Sequence, residues 1–268
     1  MDFLERIVDS TRAAVAERRR ARSEEELRAA LAHPAPGRER HESGRRPFSE
    51  ALVGDGIALI AEIKRARPCR GELRADLDVA ATAAAYERSG AAALSVLTEG
   101  EHFRGSLADI SAAREATTLP VLRKDFVIDR YQLLESRVAG AAAVLLIVAA
   151  IPDEGLLHAF MDEAAELELD TLVEVHDAEE LDRAIDAGAD VIGINNRDLR
   201  TFEVDLELTF TLLEDVPAGT IVVAESGVSD PDVVADLQTA GVDAVLVGEA
   251  LMRAADPGAE VARLLGHR

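Results

Sequence analysis

The sequence predicts a single (β/α)8 barrel, and three observations carry that prediction. Four segments share one pattern, SGAAALSV, AGAAAVLL, AGADVIGI and AGVDAVLV, in which a glycine (Gly90, Gly140, Gly188, Gly241) precedes a short apolar run. Glycine there suits the left-handed close of a helix, and the run after it reads as a parallel strand buried on both faces. These glycines lie 50, 48 and 53 residues apart, too long for one βα unit and right for two. Four further runs fall in the gaps: IALIAEI at 57–63, PVLRK at 120–124, TLVEV at 171–175 and IVVAE at 221–225. Eight strands alternating with amphipathic helices over roughly 210 residues point to a closed barrel rather than an open doubly wound sheet.

Taken in order, residues 1–50 read as an N-terminal helical extension and 51–268 as the barrel domain. MDFLERIVDSTRAAVAERRR is a helix without the apolar stretch of a signal peptide, and its run ERRRAR reads as a solvated face. HPAPGRERHESGRRP is a charged connection interrupted by Pro and Gly. An extension of this kind can lie over one mouth of a barrel, and the sequence leaves open which. Strand one then carries Glu62 at its end, with Lys64 just beyond; strand three ends in Lys124, strand five in Glu174, strand seven in Glu225. After strand five, DAEELDRAIDAG is a helix: Asp177 caps it, Glu180 stands three residues on, and Leu181, Ala184 and Ile185 share one face. SDPDVVADLQTAG repeats that logic after strand seven, with Ser229 as its candidate cap.

Composition excludes several classes. There is no run of eighteen apolar residues, so no transmembrane helix is expected and the protein is placed in the cytoplasm. Cys69 is the one cysteine and the six histidines lack zinc-type spacing, so no intramolecular disulfide or structural metal is expected. A formal charge of -22 repels phosphates, which argues against nucleic acid and anionic membranes and requires a local site for any phosphorylated ligand. Of 29 basic side chains only Lys64 and Lys124 are lysine. The acidic, arginine-rich balance suits a cytoplasm of very high salt; a GC-rich genome gives the same preference for arginine.

The two lysines mark the chemistry. Side chains on a strand alternate, so Glu62 and Lys64 face one way, as do Leu122 and Lys124, Leu172 and Glu174, Val223 and Glu225. In each set the charge lies at the C-terminal end, where a barrel carries its active site, and strands one, three, five and seven feed the same layer. The expectation is a ring of opposite charges at one level. Arginine keeps its proton under ordinary conditions, whereas a confined lysine can give one up or form an imine.

Other strand ends add tools. Asn195, Asn196 and Arg197 follow strand six: an amide orients a hydroxyl and a guanidinium grips a carboxylate at two points, although asparagines also simply turn a chain. Ser226 and Gly227 after strand seven, and Gly248 and Glu249 after strand eight, offer backbone N–H groups where barrels bind phosphate. Phe103 and Phe126 are candidate walls of an apolar pocket. His102 and His176 read as rim or capping residues.

With IAEIKRARP, LSVLTEGEHFRGS, LRKDFVID, LLIVAAI, LVEVH, GINNRDL, VAESGVS and VGEALM in this order, the chain resembles the indole-3-glycerol phosphate synthases of tryptophan biosynthesis over about residues 50–255. The resemblance implies cofactor-free conversion of 1-(2-carboxyphenylamino)-1-deoxyribulose 5-phosphate to indole-3-glycerol phosphate, carbon dioxide and water. It makes Lys124 the general acid at the substrate carbonyl, Glu174 its acidic partner, and Glu62 with Lys64 the strand-one pair. It makes Asn195 the hydroxyl-orienting amide, Arg197 the neighbour of the substrate carboxylate, Glu225 and Ser226 the strand-seven site, and Gly227 and Gly248 the phosphate cradle. Which glutamate serves as base in the dehydration stays open. Partners implied are a small phosphorylated substrate, a monomeric state, and contacts with other tryptophan-pathway enzymes.

Two departures stand out. The strand-one loop reads Arg67-Pro68-Cys69-Arg70-Gly71 where the family usually has SPS, a basic residue and glycine. Glu249 stands where many relatives carry Ser or Thr, and repulsion of phosphate predicts that its carboxylate points outward. Alternatives are a phosphoribosyl anthranilate isomerase-like barrel, a Schiff-base aldolase using Lys124, and a non-catalytic sensor of phosphorylated ligands.

Overall fold

Eight parallel strands close on themselves: β1 Ala58–Ile63, β2 Ala93–Leu97, β3 Val121–Lys124, β4 Ala143–Ile147, β5 Asp170–Val175, β6 Val191–Asn195, β7 Ile221–Glu225 and β8 Ala244–Val247. Each pairs with the next in the chain, and β8 returns to β1. The structure, a computed structural model, describes residues 3–32, 47–67, 71–74 and 76–266. The expected strands and barrel closure are therefore those that form. Gly90, Gly140, Gly188 and Gly241 all have positive φ (93°, 94°, 75° and 101°), the left-handed helix ending their position before a strand required.

Alternation along the strands sorts the apolar side chains into two cores. Leu59, Ala61, Leu94, Val96, Val144, Val173 and Val245 face the helix layer. Ile60, Leu122, Leu145, Leu172, Val223 and Leu246 fill the barrel interior. Each fully buried aliphatic side chain contributes about 1.5–3 kcal/mol. Because side chains repeat every second residue, Glu62, Lys124, Glu174 and Glu225 point the same way as Ile60, Leu122, Leu172 and Val223, one step nearer the C-terminal mouth.

Two local features differ from expectation. The helix Pro231–Ala240 is capped by Asp230, whose side chain accepts the N–H of Asp232, and not by Ser229. Proline's fixed φ suits the first helical position, which makes the residue before it the cap. The arginine run is likewise only partly solvated. Arg18 grips Glu135 with Nε at 2.7 Å and Nη2 at 3.0 Å, and Arg19 lies 2.5 Å from Asp129.

The extension serves both ends of the barrel. From helix Phe3–Ala21, the Phe3 ring meets His102 after β2 and Phe202 after β6 edge-on, at centroid distances of 5.9 and 4.8 Å, so it roofs the C-terminal mouth. From helix Pro47–Ala51, Ser49 N–H donates to Asp170 at the start of β5 at 2.7 Å, with Phe48 fully buried, so it plugs the opposite end. Residues 33–46 of the expected connection, and Pro68, Cys69 and Arg70 of the strand-one loop, lie outside the described residues. No described helix is long and apolar enough to cross a membrane.

Between barrel and helices, Arg123 is fully buried. Its guanidinium donates to Asp125 (2.8 Å), Thr98 Oγ1 (3.1 Å), Ser136 Oγ (3.1 Å) and the Gln132 carbonyl (2.8 Å). It also lies 3.6 Å from Glu135, the carboxylate held by Arg18. Arg123 and Asp125 flank Lys124 in sequence, so this network anchors the strand end that presents the lysine.

Candidate active site

The inward charges of the odd-numbered strands meet. Lys124 Nζ lies 2.6 Å from Glu174 Oε2 and 3.0 Å from Glu225 Oε2, joining β3 to β5 and β7. Lys64 Nζ lies 2.5 Å from Glu62 Oε1. Asn195 Nδ2 donates to Glu174 Oε1 at 3.1 Å, and Asn195 Oδ1 accepts the Arg197 N–H at 3.1 Å, so this amide ties the acid to the β6 loop. Two glycines make room. A Cβ on Gly248 would collide with the Glu62 carboxylate and Lys64 Nζ, and one on Gly193 with Glu225 Oε1.

Electrostatics divides Lys124 from the two carboxylates that touch it, and those two from each other. Burial by itself would lower the lysine's pKa, but Glu174, Glu225 and Glu62 outweigh it and hold the ammonium well above its ordinary range. Burial would likewise raise Glu174, yet Lys124 and His176 keep it well below the usual carboxylate range. Glu225 goes the other way: burial first, opposed by Lys124 and reinforced by the Glu174 charge, pushes it up to about 7. Its Oε1 has no hydrogen-bond partner among the described residues. One carboxylate stays ionised while its neighbour is poised to gain or lose a proton, the separation that acid-base chemistry requires.

The rim holds the remaining candidates. Arg197 donates to the Phe202 carbonyl at 3.1 Å, with Nη2 3.8 Å from Glu249. Glu249 is not turned away from the mouth as its charge suggested. It pairs with Arg67 at 2.5 Å and Arg253 at 3.1 Å, and these cations, outweighing burial, lower its pKa. Three arginines near one carboxylate remove the reason to face solvent. Ser226 (φ 65°) and Gly227 (φ 84°) both take left-handed backbone after β7, a strained pairing for a serine. Phe103 and Phe126 lie 6.4 Å apart between centroids and belong to the apolar cluster under Phe3. Asn196 proves to be a staple: its amide donates to the Glu225 and Ser226 carbonyls and accepts from Thr209. His102 touches Ser10 Oγ of the roof helix at 3.4 Å.

Against known proteins, the profile of the indole-3-glycerol phosphate synthase family matches residues 4–264. The chain belongs to the indole-3-glycerol phosphate synthase family. It is 45% identical to indole-3-glycerol phosphate synthase 1 of Streptomyces coelicolor over 267 residues, covering 99% of this chain and 95% of that protein. It is 46% identical to the Dechloromonas aromatica indole-3-glycerol phosphate synthase over 268 residues, 98% of each. Solved structures share the fold: 3-hexulose-6-phosphate synthase from Salmonella typhimurium (TM-score 0.63, 19% identity, 78% of this chain and 97% of that one) is one. A mutant tryptophan synthase α-subunit from Pyrococcus furiosus is another (TM-score 0.57, 18% identity, 78% and 98%).

Two residues of this family member carry more of the site than their sequence context suggested. Glu99 accepts the N–H groups of Glu101, His102 and Phe103 at 3.0, 2.7 and 2.9 Å, folding the loop that presents Phe103. His176, read as a rim residue, touches Glu174 and Glu180.

Proposed function

We propose that Lys124, with Glu174 and Glu225 against it, performs the acid-base work of indole-3-glycerol phosphate synthesis from 1-(2-carboxyphenylamino)-1-deoxyribulose 5-phosphate. The activity itself follows from the family: a carboxy-lyase reaction of tryptophan biosynthesis on a small phosphorylated substrate. The observation that carries the residue roles is the Lys124 ammonium clamped between two buried carboxylates. As the aromatic carbon attacks the substrate's C2 carbonyl, the oxygen gathers negative charge, and Lys124 supplies the proton. Loss of carbon dioxide restores the aromatic system, and departure of the C2 hydroxyl as water needs a second proton and removal of a ring hydrogen. Glu174 and Glu225, of unequal basicity, serve that step. Asn195 orients a substrate hydroxyl, Lys64 and Arg197 face its anionic groups, and Glu62 steadies Lys64. Gly227, Gly248 and the backbone of Ser226 and Glu249 receive the phosphate, while Phe103 and Phe126 wall the aromatic ring.

A lysine held in its charged form favours this over imine formation, which needs a free amine. The proposal extends to the setting: a monomer in a cytoplasm of very high salt, for which the charge of -22 is the motive. Indole fluorescence on adding the substrate, measured across KCl concentrations, tests both. Product formation rising with salt is expected; binding without product would refute the synthase roles.

A further inference from the structure

We propose that His176 is a positioning residue: pinned by Glu180, it holds one oxygen of Glu174 so that the other faces Lys124, and it gives the mouth a further cation. The inference rests on the reading that Lys124 and Glu174 act together in the reaction.

His176 directly follows β5, and its side chain is 11% exposed. Nδ1 lies 3.0 Å from Glu180 Oε2, and the same oxygen accepts the His176 backbone N–H at 2.8 Å. Glu180 is fixed in turn, because its own N–H is capped by Asp177 at 2.9 Å in the first turn of helix Ala178–Asp186. A carboxylate with two fixed contacts makes Nδ1 the donor, which leaves Nε2 facing Glu174 Oε1 at 3.3 Å. Without a proton on Nε2, lone pairs would oppose each other across that gap in a buried site. With one, the imidazolium bridges two carboxylates. The contact lacks hydrogen-bond alignment, so what couples the two groups is charge.

The neighbouring charges agree. Glu174 comes from β5 and Glu180 from the following helix, while Arg183 on that helix donates to the Val148 and Ile151 carbonyls at 3.5 and 2.6 Å. From β6 the nearest group, Asn195, is neutral and shares Glu174 Oε1. Burial opposes the imidazolium, but the two carboxylates prevail and raise its pKa to about 10. Glu174 therefore has a cation at each oxygen, whereas among the described residues Glu225 pairs only with Lys124. His176 decides which of the two carboxylates on the lysine stays ionised.

The test compares His176→Ala, His176→Gln and Glu180→Gln with wild type in kcat, KM and the pH profile of kcat, together with NMR titration of the His176 imidazole in the wild type. His176→Ala should lower kcat by about ten- to a hundredfold, less than losing the acid itself, with KM within about threefold. Its acidic limb should move up by about one unit or more, because the interacting Glu174 and Glu225 carboxylates lose a stabilising charge. His176→Gln restores a donor without charge, so it should recover part of kcat but keep the shifted limb; Glu180→Gln should shift the limb the same way. The imidazole should hold its proton through pH 8. An imidazole that titrates near its ordinary 6.5, or folded variants whose acidic limb does not move whatever their kcat, would overturn the proposal. If the wild type makes no indole product, the synthase roles fail, and the titration alone still decides whether His176 is the bridging cation.

Discussion

Replacing Lys124 by arginine separates two things the lysine does. At an effective dielectric of 20, a unit charge 2.6 or 3.0 Å from a carboxylate gains about 6 kcal/mol of gross attraction, before lost hydration is set against it. Arginine keeps most of that attraction, since its guanidinium stays charged, but its planar fork does not put an N–H where the compact Lys124 ammonium meets the substrate carbonyl. If the ammonium is the acid that protonates the substrate carbonyl, Lys124→Arg should lower kcat by about a thousandfold, or about 4 kcal/mol in the barrier. KM should stay within about threefold, because the charge that meets the ground state is still there. Indole fluorescence in stopped-flow and single-turnover mode reads both quantities. A variant retaining more than about a tenth of wild-type kcat would refute the proton-donor role and leave Lys124 as a fixed charge.

The glycine and the buried arginine make separate predictions. Gly248→Ala forces a methyl group into Glu62 and Lys64, so activity should fall well beyond the about 1–3 kcal/mol lost in stability to overpacking; normal turnover in this variant would show that the pair has room to move. Arg123→Leu strands Asp125 in the interior and should destabilise the fold by about 3–5 kcal/mol in urea unfolding, and a loss under about 1 kcal/mol would mean that the network is hydrated.

The barrel was legible because its signals are local. Glycine before each apolar run needs only backbone geometry, and Glu62, Lys124, Glu174 and Glu225 inherit their common level from strand parity. Which of them touch was not legible, since Lys124 meets Glu174 from fifty residues away through shear and side-chain length that no spacing encodes. His176 and Glu180 looked like the start of an ordinary helix, and the His-x-x-x-Glu spacing is their only trace in the sequence. The surroundings of Glu249 were only partly legible: Arg253 four residues on along its own helix is plain from spacing, whereas Arg67 and Arg197 reach it from distant loops. Ser229 lost the cap to Asp230 through the proline one residue on.

The roof and the plug together set an order of events during synthesis. Phe3 finds one of its ring partners at residue 202, and Ser49 finds its carboxylate at residue 170. A ribosome must therefore pass residue 170 before Ser49 has its carboxylate and residue 202 before Phe3 has its second ring, although Arg18 and Arg19 meet Glu135 and Asp129 sooner. Until then Phe3 has His102 beside it but lacks the Phe202 ring, while Val15 of the same helix packs with Leu27, Tyr131 and Leu134. A nascent chain stalled short of residue 202 therefore lacks one of the two rings that Phe3 meets edge-on over the mouth.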